Sequence, residues 1–196
     1  DAAPNQRVCA VPGAGAHVPI WILGSSLYGA QLAAALGMPY AFASHFAPGA
    51  MMDAIRIYRE RFEPSEQLAE PWVMLGFNVC AADDDDEAEY LRSSAVQSFL
   101  RMRTGRPGRL PPPIRQHQEM LDDLELALLK DMQSVSAVGS EKTIQRELGE
   151  FVERTSADEI IVVGSIFDHK ARVHSFEIAM RAARALYGDT ANRASA

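Results

Sequence analysis

Leu23-Gly24-Ser25-Ser26 sets a turn residue and two hydroxyls directly after the apolar run 18–24. If a strand ends there and a helix begins, backbone N–H groups are left unpaired at the positive end of the helix dipole. With two hydroxyls beside them, they make a cradle for a phosphate. The plainer role is Ser25 as helix cap and Gly24 as turn, and the residues alone leave both open. FASHFAP (42–48) places a histidine between two phenylalanines at the end of a second apolar run. There the histidine and the two phenylalanines would form a flat, partly polar wall, with His45 donating a hydrogen bond or exchanging a proton. A histidine merely packed at the start of a loop is the alternative. GFN (76–78) and VGSIFDH (163–169) close two further runs, and Asp168 and His169 read mainly as a helix cap.

Other chemistries find little footing. His17, His117 and His174 are scattered without ligand spacing, so no metal site is expected. There is no G-x-S-x-G elbow, and GAG (13–15) neither continues to GxGxxG nor follows a strand. The Asp83–Glu87 run reads as a solvated first helical turn. Cys9 and Cys80 lie far apart outside any CxxC pattern, which suits a reducing, cytoplasmic setting. No residue earns a catalytic role from spacing alone.

The elements that must position these residues alternate. Four apolar runs read as strands buried on both faces: 18–24, 39–44, 71–82 and 158–165. Each precedes a helical pattern. Met51, Ile55, Tyr58 and Phe62 mark one helix face; Leu91, Ala95 and Phe99 a second; Leu121, Leu124, Leu128 and Met132 a third. SAVGS (136–140) leads into a helix carrying Ile144, Leu148, Phe151 and Val152, and the last helix carries Val173, Phe176, Met180, Ala183 and Tyr187. Alternating β and α units imply a parallel sheet with right-handed crossovers. Four strands are too few to close an eight-stranded barrel, and an open doubly wound sheet fits the same pattern. Residues 1–18 read as a linker or arm, 19–187 as the domain and 188–196 as a frayed tail. The basic, proline-rich stretch 101–118 is too long for an ordinary connection and reads as a flap over the barrel mouth or as a surface excursion with no role.

Composition narrows the function classes. Lys plus Arg number 19 against 26 Asp plus Glu, a net charge of −7, so no cationic field exists to hold a nucleic acid. No apolar run reaches the length of a membrane span, and the first residues do not form a signal peptide. The chain does not open with Met, which leads to the expectation that it continues a longer protein.

VPIWILGSSLYGAQLAAALGMPYAFASHFAP resembles the middle of the luciferase-like flavin monooxygenases, the subgroup related to bacterial luciferase and long-chain alkane monooxygenases. SAVGSEKTIQRELGEFVERTSADEIIVVGSIFDH resembles that family's closing segment, and the similarity spans residues 7–187. The resemblance implies the C-terminal half of a TIM-type (β/α)8 barrel. It implies reduced FMN, delivered by a separate flavin reductase, and oxidation of a small organic substrate with O2. The flavin phosphate is expected at Gly24, Ser25 and Ser26, and the ring at Ala43, Ser44 and His45, where bacterial luciferase carries a large aromatic in place of the histidine. The family's first four strands have no counterpart in residues 1–18, so the chain is expected to hold only part of the active site. A half-barrel has open edges and should associate as a homo-oligomer. A non-catalytic half-barrel remnant and another phosphate-binding α/β enzyme are the competing readings.

Overall fold

The computed structural model describes residues 7, 8, 11–13, 15, 16, 18–115 and 121–188. Cys9, His17, His117, the end of the 101–118 insertion, most of the proposed arm and the tail beyond Gly188 lie outside them.

Five parallel strands are present: β1 (Ile22–Gly24), β2 (Tyr40–Phe42), β3 (Val73–Ala81), β4 (Ser136–Gly139) and β5 (Glu159–Val163). The nine-residue β3 organises the sheet. Its backbone groups alternate sides, so Tyr40 N bonds to Trp72 O on one side while Asp158 N bonds to Val73 O on the other. Asn78 N bonds to Val135 O, on the same side as β2. β4 therefore takes over beside β3 where β2 has ended, while β5 runs along the opposite side (Met74 opposite Glu159 through Asn78 opposite Val163). Among the described residues β1 and β5 each have one strand neighbour, and the sheet is open. The sequence pattern offers four strands; the fifth, SAVG, does not show in it because four small residues carry too little apolar signal to stand out from the helix that follows.

Side chains alternate across β3 as the pleat demands. Val73, Leu75, Phe77, Val79 and Ala81 join the main core. α5 (Glu141–Thr155) and α6 (His169–Tyr187) pack on β3, while α1 (Leu27–Leu36) and α2 (Met51–Glu60) cover β1 and β2 in the same core. The α2 face follows the expected spacing: Met51, Ile55 and Tyr58 are buried, with Phe62 packed just past the helix end. On α5, Ile144, Leu148 and Phe151 are buried, and the Phe151 ring lies 4.5 Å from that of Phe77. Gly37 ends α1 at φ +61, where a Cβ would stand 2.4 Å from the Glu63 carbonyl, so only glycine fits.

The α6 face differs from the expected one. Ser175, Ile178, Ala179 and Ala182 are buried, whereas Val173, Phe176, Met180 and Tyr187 stay substantially exposed. Small residues let the helix approach the sheet closely, and Ser175 Oγ accepts the Ala81 N–H at 2.9 Å. The large residues lie on a face that no described residue covers.

α3 (Asp85–Arg103) lies against the other face of the sheet, where Cys80, Ala88, Leu91 and Ile166 form a second cluster. α3 is buried along Ala88, Leu91, Val96 and Leu100, so of the expected face only Leu91 is fully buried. α4 (Asp123–Gln133) adds Leu129 to a third cluster with Val96 and Leu100, while Leu124 is exposed. No helix among the described residues is long and apolar enough to cross a membrane.

Candidate functional site

β1 ends at Gly24, and Ser26 occupies the N-cap position of α1 with extended backbone (φ −141, ψ 165). The Ser26 hydroxyl makes no capping hydrogen bond, and the first turn of α1 holds no acidic residue. Ser25 and Ser26 are both exposed. The cap role considered for Ser25 is thus not filled by a side-chain bond. What remains is an uncapped helix start with hydroxyls beside it, a site suited to an anion. Gly29 packs against Gly24, since a Cβ on either would lie 3.5 Å from the other's Cα. Tyr40 fills the adjacent space and donates its hydroxyl to the Ser26 carbonyl at 3.3 Å; burial pushes its pKa up to about 12, so it remains a donor. The signal for Gly29 was its five-residue spacing from Gly24, which sequence reasoning did not use.

The next strand end adjoins this one, because Ala43 N donates to Gly24 O at 2.9 Å. Ser44 is fully buried, and its hydroxyl donates to the Gly76 carbonyl at 2.6 Å. That bond continues the β2–β3 ladder one step past the strand, so Ser44 acts by fixing the turn. His45 lies over Gly76 so closely that a Cβ there would stand 2.0 Å from Nδ1. Its Nδ1 is buried with no hydrogen-bond partner, and burial lowers the pKa of the ring. The imidazole is therefore held neutral near pH 7, with its buried edge against backbone. Asn78 Nδ2 donates to the His45 carbonyl at 3.4 Å and ties this turn to β3.

The acidic run is largely exposed and opens α3, as the sequence suggests, and three of its aspartates also make specific bonds. Asp83 bonds to His174 Nε2 at 2.8 Å, and Asp84 caps α3 by accepting from Glu87 N. Asp85 accepts from Ser140 N at 2.6 Å and from Thr143 Oγ1 at 2.9 Å, which lowers its carboxyl pKa and caps α5 from another element. Asp168 caps α6 through Ala171 N, as the sequence suggested. At the foot of the sheet, Asp158 Oδ2 accepts from Val73 N and Glu159 Oε1 from Trp72 Nε1, so this acidic pair fastens β5 to β3.

A cavity of about 390 Å³ opens beside the far ends of β3, β4 and β5, under α3 and the residues that follow it. Asn78 lines it and links it to the His45 turn. The insertion supplies Pro107 and Gly108 to its rim, and residues 104–109 are exposed. Its second leg folds back along α3: Gln97 Nε2 donates to Pro112 O, Ile114 N to Ser93 Oγ, and Arg115 stacks 4.3 Å from the Tyr90 ring.

Residues 2–159 match the family model described as luciferase-like monooxygenase. The chain is 46% identical over 185 residues to a protein of Escherichia coli K12 called luciferase-like monooxygenase, covering 94% of this chain and 55% of that one. It spans about half the length of the curated relatives it matches. Among solved structures, apo-MsnO8 superposes with a TM-score of 0.70 at 29% identity, over 84% of this chain and 50% of that one. The oxygenating constituent of 3,6-diketocamphane monooxygenase of Pseudomonas putida, solved with FMN, shares the fold at a TM-score of 0.50 and 18% identity, over 81% and 45%. The open parallel sheet is thus the C-terminal half of a barrel of the luciferase-like type.

Proposed function

Because this chain belongs to the luciferase-like monooxygenase family, we propose that it forms the flavin-phosphate side of an FMN-dependent monooxygenase site that oxidises a small organic substrate. The observation that carries this reading is the uncapped start of α1. Two exposed hydroxyls and unpaired N–H groups converge there without a carboxylate in the first turn. Gly24, Ser25 and Ser26 hold the phosphate, and the turn Ala43-Ser44-His45 supports the ring. Bound reduced flavin supplies the electrons with which O2 oxidises the substrate. His45 contributes a neutral imidazole fixed against Gly76, so it offers a hydrogen bond without adding positive charge. Ser44 holds that turn at its height above β3. A flavin reductase supplies the reduced cofactor, and the reaction belongs in the cytoplasm.

Isothermal titration of FMN into the intact protein and its S25A/S26A variant tests this. Each hydroxyl bond to a charged group contributes about 1.5–3 kcal/mol. The double variant should therefore bind at least about tenfold more weakly, since 1.4 kcal/mol is a factor of ten. Equal affinity in the two proteins would remove the phosphate assignment.

A further inference from the structure

The cavity beside the ends of β3, β4 and β5 has a lining of uneven chemistry. Val96, Phe99, Met102 and Val163 supply apolar walls. Arg92 is the only charged side chain among the described lining residues. The Cys80 thiol nearby is pushed up to about 12 by burial and stays neutral. Arg92 is itself well buried, with 13% of its side chain exposed. Its one ion pair joins Nε to Glu89 Oε2 at 2.9 Å. Neither Nη group has a hydrogen bond among the described residues. Arg92 stands where this cavity meets a second, polar one of about 370 Å³, lined also by Glu147, Glu150 and Arg154. A guanidinium withdrawn from water with both Nη groups unengaged is costly unless an acceptor completes it. A planar pair of N–H donors fits a carboxylate best. The cavity volume falls at the small end of ligand pockets, roughly 300–1,000 Å³.

We propose that this cavity binds a small carboxylate with an apolar tail, its carboxylate on Arg92 and its tail between Phe99, Met102 and Val163. The assignment rests on the monooxygenase reading above and names the substrate class for it. The tail then lies against Asn78, one hydrogen bond from the His45 turn.

Ligand-observed NMR with hexanoate, hexan-1-ol and hexylammonium tests the proposal on the intact protein. Hexanoate should bind most tightly, hexanol at least tenfold more weakly and hexylammonium not measurably. Arg92→Met should reduce hexanoate to the level of hexanol, and Arg92→Lys should retain part of the preference. Ala95→Phe, which fills the cavity, should abolish binding of both. Hexylammonium binding as well as hexanoate, or hexanoate affinity unchanged in a folded Arg92→Met protein, would overturn the proposal. If Arg92→Met does not fold, the ranking of the three probes on the unmodified protein decides. FMN titration on the same samples separates the two readings. Hexanoate binding without flavin binding overturns the flavin assignment alone, and flavin binding without hexanoate binding overturns this one alone.

Discussion

Ser44 and His45 divide the work of one turn. Ser44 gives its hydroxyl to the Gly76 carbonyl in a fully buried position. Ser44→Ala should therefore cost about 1–3 kcal/mol, the penalty for orphaning a buried acceptor, read from the midpoint of urea denaturation. The sequence marked both residues as candidates for ligand contact, but it could not tell which would turn inward to complete the ladder. That distinction depends on where β2 ends relative to Gly76, a tertiary fact. Two histidines should also titrate in opposite senses. His174 is raised by its hydrogen bond to Asp83, with Glu177 adding to it. Its stabilisation is complete below the ordinary imidazole value and fades as pH rises through the raised value. The pair is exposed, so it contributes only about 0.2–1 kcal/mol. His45 is lowered by burial, so the folded protein loses stability as pH falls through the ordinary value of about 6.5. Thermal midpoints of His174→Asn and His45→Phe against pH should show both. The His174→Asn deficit should be greatest in acid, and the His45→Phe protein should gain on the parent there. A deficit for His174→Asn that grew toward alkaline pH would contradict the pairing with Asp83.

Among the elements, those with strong period were legible and those governed by close approach were not. The faces of α2 and α5 follow from Met51, Ile55 and Tyr58 and from Ile144, Leu148 and Phe151. On α6 the apolar period runs through the largest residues, yet Ser175, Ala179 and Ala182 lie against the sheet because their size permits it. The insertion reads in sequence as one segment, and its two legs behave differently. Residues 104–109 are exposed, while Ile114 and Arg115 are tied to Ser93, Tyr90 and Glu87. Limited trypsin digestion should cut after Arg109 and Arg103, spare Arg106 because Pro107 follows it, and cut slowly after Arg115. Since Pro107 and Gly108 rim the cavity, ligand binding should slow cleavage at Arg109. Equal cleavage after Arg109 and Arg115 in the free protein would mean that the second leg is not held against α3.

At the scale of the whole molecule, the sheet shows two edges, and beyond α3 part of one face, that no described residue covers. Leu23 on β1 is 73% exposed and Ile161 on β5 is 52% exposed, both on the face away from the core helices. Val173, Phe176, Met180 and Tyr187 add an apolar stripe on α6. Open strand edges and apolar patches of this kind favour association. Sedimentation at micromolar concentration should find this 196-residue chain as a dimer or larger species. A single 21.5 kDa species with a cooperative thermal transition would show that the exposed face is tolerated. The link from Asp85 to Ser140 and Thr143 has a different consequence at this scale. It fastens the start of α3, just past the end of β3, to the start of α5, just past the end of β4, so the ends of two paired strands are held together whatever lies between them. The stretch between the end of β3 and the start of β4 is a closed excursion whose length is nearly free to change, because lengthening a closed loop costs little: each doubling adds only about 0.6 kcal/mol. The cavity's cover can thus be lengthened, shortened or exchanged between relatives while the strands beneath keep their register. A frame of this kind can acquire new ligands by replacing its roof.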